Sequence, residues 1–111
     1  MRSNYKHEHI ESEILNVLNH TIKAEIYDEY LKNCSFTAVK LSPDYSIATV
    51  YVDTYDRSKI EQMIDKLTIA KGVFKSELSR HMRIRKVPDV KFVKDDTIDN
   101  SLKIDQLLDK I

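Results

Sequence analysis

The sequence predicts a single α+β domain in which a small β-sheet carries its helices on one face. First, 111 residues and 13.0 kDa correspond to one domain with one modest hydrophobic core. Second, some stretches repeat apolar residues at helical spacing, whereas others alternate apolar and polar residues. Third, these stretches follow the order helix, strand, strand, helix, kink, helix, strand. We therefore expect a three-stranded domain over residues 1–96 and a short amphipathic C-terminal tail over residues 97–111.

The helices are predicted from their apolar stripes. The first spans residues 6–26, and its stripe is formed by Ile10, Ile14, Val17, Leu18 and Ile22. Ser58-Lys59-Ile60-Glu61 matches a capping box and predicts the start of a second helix. This helix meets a third, Val73 to Arg83, in a kink at Gly72. A last stripe over residues 104–111 predicts a helix that is stable only if it docks, and the sequence leaves its docking open.

The strands are predicted from alternation and β-branched content. Residues 35–41 and 47–53 alternate, and the turn signal Ser42-Pro43-Asp44-Tyr45 between them predicts an antiparallel hairpin. A third short strand over residues 90–93 follows Pro88. Strict alternation places three side chains of the first strand on one side of the sheet: Thr37, Val39 and Leu41.

Charge is segregated along a chain whose formal net charge is zero. Residues 66–94 hold nine Lys or Arg and two Asp or Glu, so this block carries 9 − 2 = +7, whereas residues 95–111 carry 2 − 5 = −3. Such a block is typical of a phosphate-binding face. The core stripe of the third helix is formed by Phe74, Leu78 and Met82. We expect the basic side chains to point away from that stripe, and the candidates for RNA binding are Lys71, Lys75, Arg80, Arg83, Arg85 and Lys86.

Gly72 is the only glycine in the chain and supports two interpretations. Without a Cβ, a phosphodiester backbone can approach the start of the third helix, where free N–H groups favour an anion. Alternatively, the glycine ends the second helix in a left-handed conformation. The sequence leaves both open.

Other classes of function have little support. The single cysteine, Cys34, has no internal disulfide partner and is interpreted as a packing residue near a strand start. The four histidines are scattered, and no glycine-rich phosphate loop exists, so we expect no enzyme, metal site or cofactor. No stretch is apolar enough to span a membrane or to resemble a signal peptide, so we expect a cytoplasmic protein. Tyr51 and Tyr55 are the nearest candidates for base stacking, although ordinary strand tyrosines are the favoured interpretation.

Several motifs together resemble bacterial ribosome-binding factor A, whose fold is similar to a type II KH domain. Ala70-Lys71-Gly72 resembles the Ala-x-Gly kink of that family. The other matching stretches are residues 39–44, 48–52, 82–92, 95–96 and 104–108. The resemblance implies a non-catalytic assembly factor that binds the free small (30S) ribosomal subunit and its 16S rRNA late in maturation. It also implies a role in rRNA 5′-end processing and cold adaptation.

Carried onto this chain, the resemblance assigns Ala70 and Gly72 to the interhelical kink and the six basic candidates to the face that contacts rRNA. We expect the protein to act as a monomer. The alternative is a small protein-interaction module whose basic face binds an acidic protein partner.

Overall fold

A computed structural model describes residues 2–26 and 31–95, and the predicted tail lies outside these ranges. The helices and strands are α1 (Arg2–Ala24), β1 (Cys34–Leu41), β2 (Ile47–Thr54), α2 (Ile60–Ile69), α3 (Lys71–His81) and β3 (Asp89–Lys94). Short 3₁₀ turns, Leu31–Asn33 and Arg57–Lys59, precede β1 and α2. The predicted order of elements is confirmed, although α1 begins four residues earlier than expected and α3 ends at His81 rather than Arg83.

The sheet has the order β1-β2-β3. β1 and β2 form the predicted antiparallel hairpin, whereas β3 lies parallel to β2 and pairs with it from Ile47↔Asp89 to Val52↔Lys94. A parallel neighbour needs a long crossover connection, which α2 and α3 provide here. Alternate residues of β2 are buried beneath the helices, and those between them face outward. The crossover therefore brings the interhelical kink to the end of the sheet where β3 begins.

A β-bulge at Thr37 shifts the register of β1 against β2. The prediction that Thr37 shares a side with Val39 is therefore wrong: Phe36 and Val39 are both buried, and Thr37 is exposed. The Asn19 side chain stabilises the bulge, because its amide nitrogen donates to the Phe36 carbonyl and its oxygen accepts from the Phe36 N–H, both at 3.0 Å. Thr37 Oγ1 donates outward to the Asp95 carboxylate at 2.6 Å.

Three phenylalanines form the centre of the core. Phe36, Phe74 and Phe92 come from β1, α3 and β3, and their ring centroids lie 5.4–5.6 Å apart in edge-on and stacked arrangements. The stripe of α1 packs against the same core through fully buried Ile14 and Leu18. Since one aromatic cluster joins a helix to both outer strands, it fixes α3 and its basic side chains relative to the sheet.

The predicted capping box at the start of α2 is not formed. Asp56 instead caps the preceding 3₁₀ turn, where its carboxylate accepts from the Ser58 N–H at 3.1 Å and from the Ser58 hydroxyl at 2.6 Å. These hydrogen bonds hold the pKa of Asp56 below its usual value. Because Ser58 is already bound to this carboxylate, α2 begins at Ile60 without a side-chain cap.

Candidate nucleic-acid interface

The kink between α2 and α3 occupies a single residue. α2 ends at Ile69, Ala70 has φ −87° and ψ 5°, and α3 begins at Lys71. The Ala70 N–H donates to the Lys66 carbonyl at 3.1 Å, and the Ala70 carbonyl accepts from the Val73 N–H at 2.9 Å. Ala70 thus closes one helix and opens the next, so the helices meet two residues before Gly72, where the kink was predicted, and α3 begins at Lys71 rather than Val73.

Gly72 lies in the first turn of α3 and its φ is not positive. The interpretation that it ends α2 in a left-handed conformation is therefore wrong, since Ala70 takes the junction position. A Cβ built at Gly72 would meet no atom within 4 Å, so internal packing does not require glycine either. The missing side chain instead leaves the backbone of the first helical turn open to an approaching molecule.

Two exposed apolar side chains flank the kink. Ile69 is 86% exposed and Val73 is 42% exposed. They give the cationic kink an apolar surface that was not predicted from the sequence. The sequence does contain one indication of this surface, because Ile69 lies outside the i, i+3, i+4, i+7 stripe that ends at Leu67.

Lys71 and Lys75 share one carboxylate. Their Nζ atoms lie 3.4 and 3.6 Å from Oδ1 of Asp89, the first residue of β3. Burial raises the pKa of Asp89, but the two nearby lysines outweigh this effect and hold it below its usual value. Both lysines remain partly exposed, so they can reach a ligand at the cost of a weak surface ion pair.

Arg80 is paired with an acid on its own helix. Glu77 is 6% exposed and is the only buried carboxylate in the described part of the chain. Its Oε1 accepts from Arg80 Nη1 at 3.0 Å, and its Oε2 lies 3.0 Å from His81 Nε2. The charge of Arg80 is therefore partly offset, although its side chain points away from the core as predicted.

The remaining three basic candidates lie in the loop between α3 and β3. Met82 has an extended backbone and a buried side chain, so the chain leaves the helix before Arg83. Arg83, Arg85 and Lys86 are exposed, and none of them forms an ion pair with a carboxylate in residues 2–26 or 31–95. The structure thus separates the six candidates into three paired cations on α3 and three unpaired cations in this loop.

A groove of about 550 Å³ lies between α1, the hairpin turn and the loop that carries the unpaired cations. We call it the α1–loop groove. Its apolar lining consists of Ile10, Ile14, Leu41, Ile84 and Pro88. Its polar and aromatic lining consists of Lys6, Asp44, Tyr45, Ser46, Arg83, Arg85 and Lys86. No local pattern in the sequence links Lys6 to a loop almost eighty residues away, so the groove was not predictable from the sequence.

Tyr45 lines the groove from the hairpin turn with φ 64°, a conformation unusual for a residue with a bulky side chain. The turn is held by Asp44, whose carboxylate accepts from the Ser46 hydroxyl, the Ser42 hydroxyl and the Ser46 N–H. These bonds lower the pKa of Asp44 to about 2. The His7 ring lies 4.3 Å from the Tyr45 ring, and His7 Nε2 is 3.0 Å from the Ser42 carbonyl oxygen.

Tyr51 and Tyr55 lie away from this groove. Tyr51 is half-buried within β2, at a position that alternates with the buried residues. Tyr55 is 98% exposed and follows the end of β2 that is opposite the hairpin turn. The structure therefore places Tyr45, rather than either predicted candidate, among the unpaired cations.

Cys34 is the first residue of β1 and is buried, with its thiol donating to the Leu31 carbonyl oxygen at 2.9 Å. This placement confirms its interpretation as a packing residue. Within residues 2–26 and 31–95, no three histidine, cysteine or acidic side chains converge as metal ligands. No helix in the same ranges is long and apolar enough to cross a membrane.

The fold and the site define a small α+β domain with a helix–kink–helix crossover and a cationic end. More particularly, the chain belongs to the ribosome-binding factor A family, whose model matches residues 6–108. The ribosome-binding factor A of Mycoplasma genitalium is 40% identical over 109 residues, which cover 98% of this chain and 97% of the relative.

Solved structures agree with this assignment. The crystal structure of ribosome-binding factor A from Thermus thermophilus superposes with a TM-score of 0.73 at 28% identity, covering 79% of this chain and 94% of that one. A homology model of the Thermus thermophilus protein, fitted into a cryo-electron microscopy map of a 30S complex with that protein, gives a TM-score of 0.64 at 25% identity. This match covers 80% of this chain and 94% of the other.

Proposed function

We propose that this protein is a non-catalytic assembly factor that binds the free small ribosomal subunit through its 16S rRNA during late maturation. Its family membership and the 30S complex of the Thermus thermophilus relative support this proposal. We further propose that it acts in the cytoplasm as a monomer, aids processing of the rRNA 5′ end and supports growth in the cold.

The observation that carries the proposal is the concentration of cations at one end of the domain. Asp89, which contacts Lys71 and Lys75, lies only three residues beyond Lys86, so the kink and the loop share this end. Lysine and arginine side chains bind phosphates without reading sequence. The loop cations carry most of this affinity in our proposal, because they have no carboxylate partner to displace among the described residues.

Co-sedimentation of the purified protein with small subunits, large subunits and joined ribosomes across a salt series tests the proposal. We expect selective pelleting with free small subunits that weakens as salt rises. Neutralising the loop cations in R83Q/R85Q/K86Q should reduce the magnitude of the slope of log K against log salt by about 2. Each lost phosphate contact contributes roughly 0.7–0.9 to that slope, and three contacts are lost. The paired set, K71Q/K75Q/R80Q, should have a smaller effect because Asp89 and Glu77 already offset these charges.

A matched control removes the same charge elsewhere. Lys23 lies on α1, and Lys40 and Lys91 lie at exposed positions of the outer strands. K23Q/K40Q/K91Q should bind almost as tightly as the wild type if the cationic end is the interface. Equal losses in all three variants would mean that overall charge, rather than this end of the molecule, determines binding. Failure of the wild type to pellet with any particle would refute the proposal and favour the alternative, an acidic protein partner for the basic face.

A further inference from the structure

We propose that the α1–loop groove binds one unpaired nucleotide of the RNA, with its base against the apolar lining and Tyr45 and its phosphates on the rim cations. This inference rests on the proposed function and names the ligand of a second contact beside the kink. The kink offers backbone and paired lysines, whereas the groove offers depth, an aromatic ring and unpaired charge.

The charge of the groove selects an anion. Lys6 from α1 faces Arg83, Arg85 and Lys86 across it, and all four side chains are exposed. Asp44 is the one carboxylate among the described residues of the lining, and it is occupied by the hydroxyls of the hairpin turn. In the described part of the chain no acid compensates the four cations, so a ligand with negative charges at its outer edge is complementary.

The apolar lining selects a ligand with a flat or apolar part. Ile84 lies between Arg83 and Arg85, so one short segment supplies both apolar contact and charge. The volume of about 550 Å³ lies within the range of about 300–1,000 Å³ for small-ligand sites. A base in an A-form helix is stacked and paired and cannot enter such a groove, whereas an unpaired base can be splayed into it.

Tyr45 adds the contact that favours a base over an apolar side chain. A bulky residue at φ 64° is strained, and glycine or asparagine occupies this conformation more readily. Tyr45 lies in the groove wall with this backbone conformation, and its ring packs against the ring of His7. An aromatic ring already held in place stacks on a base with little loss of freedom, and such stacking tolerates any base.

The test compares single-stranded and duplex RNA binding to the full chain. The probes are a fluorescein-labelled octaribonucleotide of mixed sequence and a blunt RNA duplex of equal length, measured by anisotropy. In Y45G the ring is lost while the backbone strain is relieved, so the variant should melt no lower than the wild type. We expect its affinity for the single strand to fall about tenfold, equivalent to losing one stacked base, and its duplex affinity to stay within twofold.

Two control variants separate the ring from other effects. Y45F keeps the aromatic ring and should bind the single strand like the wild type. Tyr55 is an exposed tyrosine at the other end of β2, and Y55A should also leave binding unchanged. Equal single-strand affinity of Y45G and the wild type would overturn the proposal.

Chemical-shift mapping of the wild type with the unlabelled octaribonucleotide tests the location without any variant. The proposal expects the largest shifts at Leu41, Tyr45 and Ile84. Shifts confined to Ala70–Lys75, or no binding of the single strand, would refute the groove even if subunits still pellet with the protein. Conversely, groove shifts without pelleting would refute the assembly-factor proposal alone. Displacement of the RNA probe by a Glu-Leu repeat peptide at equal concentration would assign the groove to an acidic protein instead.

Discussion

Replacement of Gly72 by alanine should stabilise the protein and weaken its binding to the small subunit. The residue lies in the first turn of α3, and a Cβ there meets no atom within 4 Å, so the substitution introduces no clash. In a helix interior, alanine is more stable than glycine by up to about 1 kcal/mol, and a position in the first turn gains part of this difference. We expect a gain of about 0.5–1 kcal/mol, which raises Tm by roughly 2–5 °C for a domain of this size.

The effect on binding has the opposite sign. If a phosphate contacts the backbone of this turn, a methyl group displaces it and weakens one charged hydrogen bond, worth about 1.5 kcal/mol or roughly tenfold in Kd. Calorimetry gives Tm, and co-sedimentation at fixed salt gives Kd. Asn16→Ala is the matched control, because it raises helix propensity at an exposed position of α1, away from the kink. A stabilised G72A that binds as tightly as the wild type would refute a backbone contact at the kink, and a destabilised one would refute the helical assignment of Gly72.

Three further substitutions test the paired charges and the core. Asp89→Asn releases Lys71, so small-subunit binding at low salt should tighten about two- to threefold; the exposed ion pair costs less than about 1 kcal/mol of stability when lost. Because the pKa of Asp89 is lowered in the folded protein, its ionised carboxylate stabilises the fold above about pH 4, and this stabilisation is lost as the pH falls through the folded-state pKa. In urea unfolding, the free energies of unfolding of D89N and the wild type should therefore become equal at low pH. Phe74→Ala should cost about 3–5 kcal/mol in the same assay, and a loss below about 1 kcal/mol would contradict its central position in the core. Asn19→Ala should cost about 1–3 kcal/mol and accelerate hydrogen exchange of the Phe36 amide, whereas unchanged exchange would show that the bulge forms without this side chain.

The elements that the sequence predicts well are those with local causes. The hairpin turn follows from Pro43 and Asp44, and the kink follows from two apolar stripes that meet near Gly72. The bulge at Thr37 was not predictable from alternation, because an extra residue reverses the phase of the pattern within one strand. The Asn19 side chain that stabilises it comes from another element, seventeen residues away. The predicted capping box does not form for a related reason: Asp56, which the motif does not include, competes for Ser58.

The basic stretch was predictable from the sequence, but which of its cations are paired with a carboxylate and which are free to bind a ligand was not. Asp89 is eighteen residues from Lys71 along the chain, and only the parallel pairing of β3 with β2 brings them together. Tyr45 and Lys6 belong to segments far from the basic block in sequence, so no motif places them beside Arg83. The direction of the α3 side chains was predictable from local patterns, because helical periodicity alone separates the core stripe from the charged face.

The excess of seven positive charges in residues 66–94 is not spread evenly over one face. The two acids of this block are both used on or near α3: Glu77 pairs with Arg80, and Asp89 pairs with the two lysines of the first turns. The uncompensated charge is therefore displaced toward residues 83–86, where Lys6 from α1 adds to it. Since free cations attract phosphate more strongly than cations that must first leave a carboxylate, an RNA chain should contact this loop first. Asp89 then lies between the loop and the kink, so a strand that continues onto α3 must displace this carboxylate from its lysines, which makes contact at the kink the weaker and less salt-sensitive step.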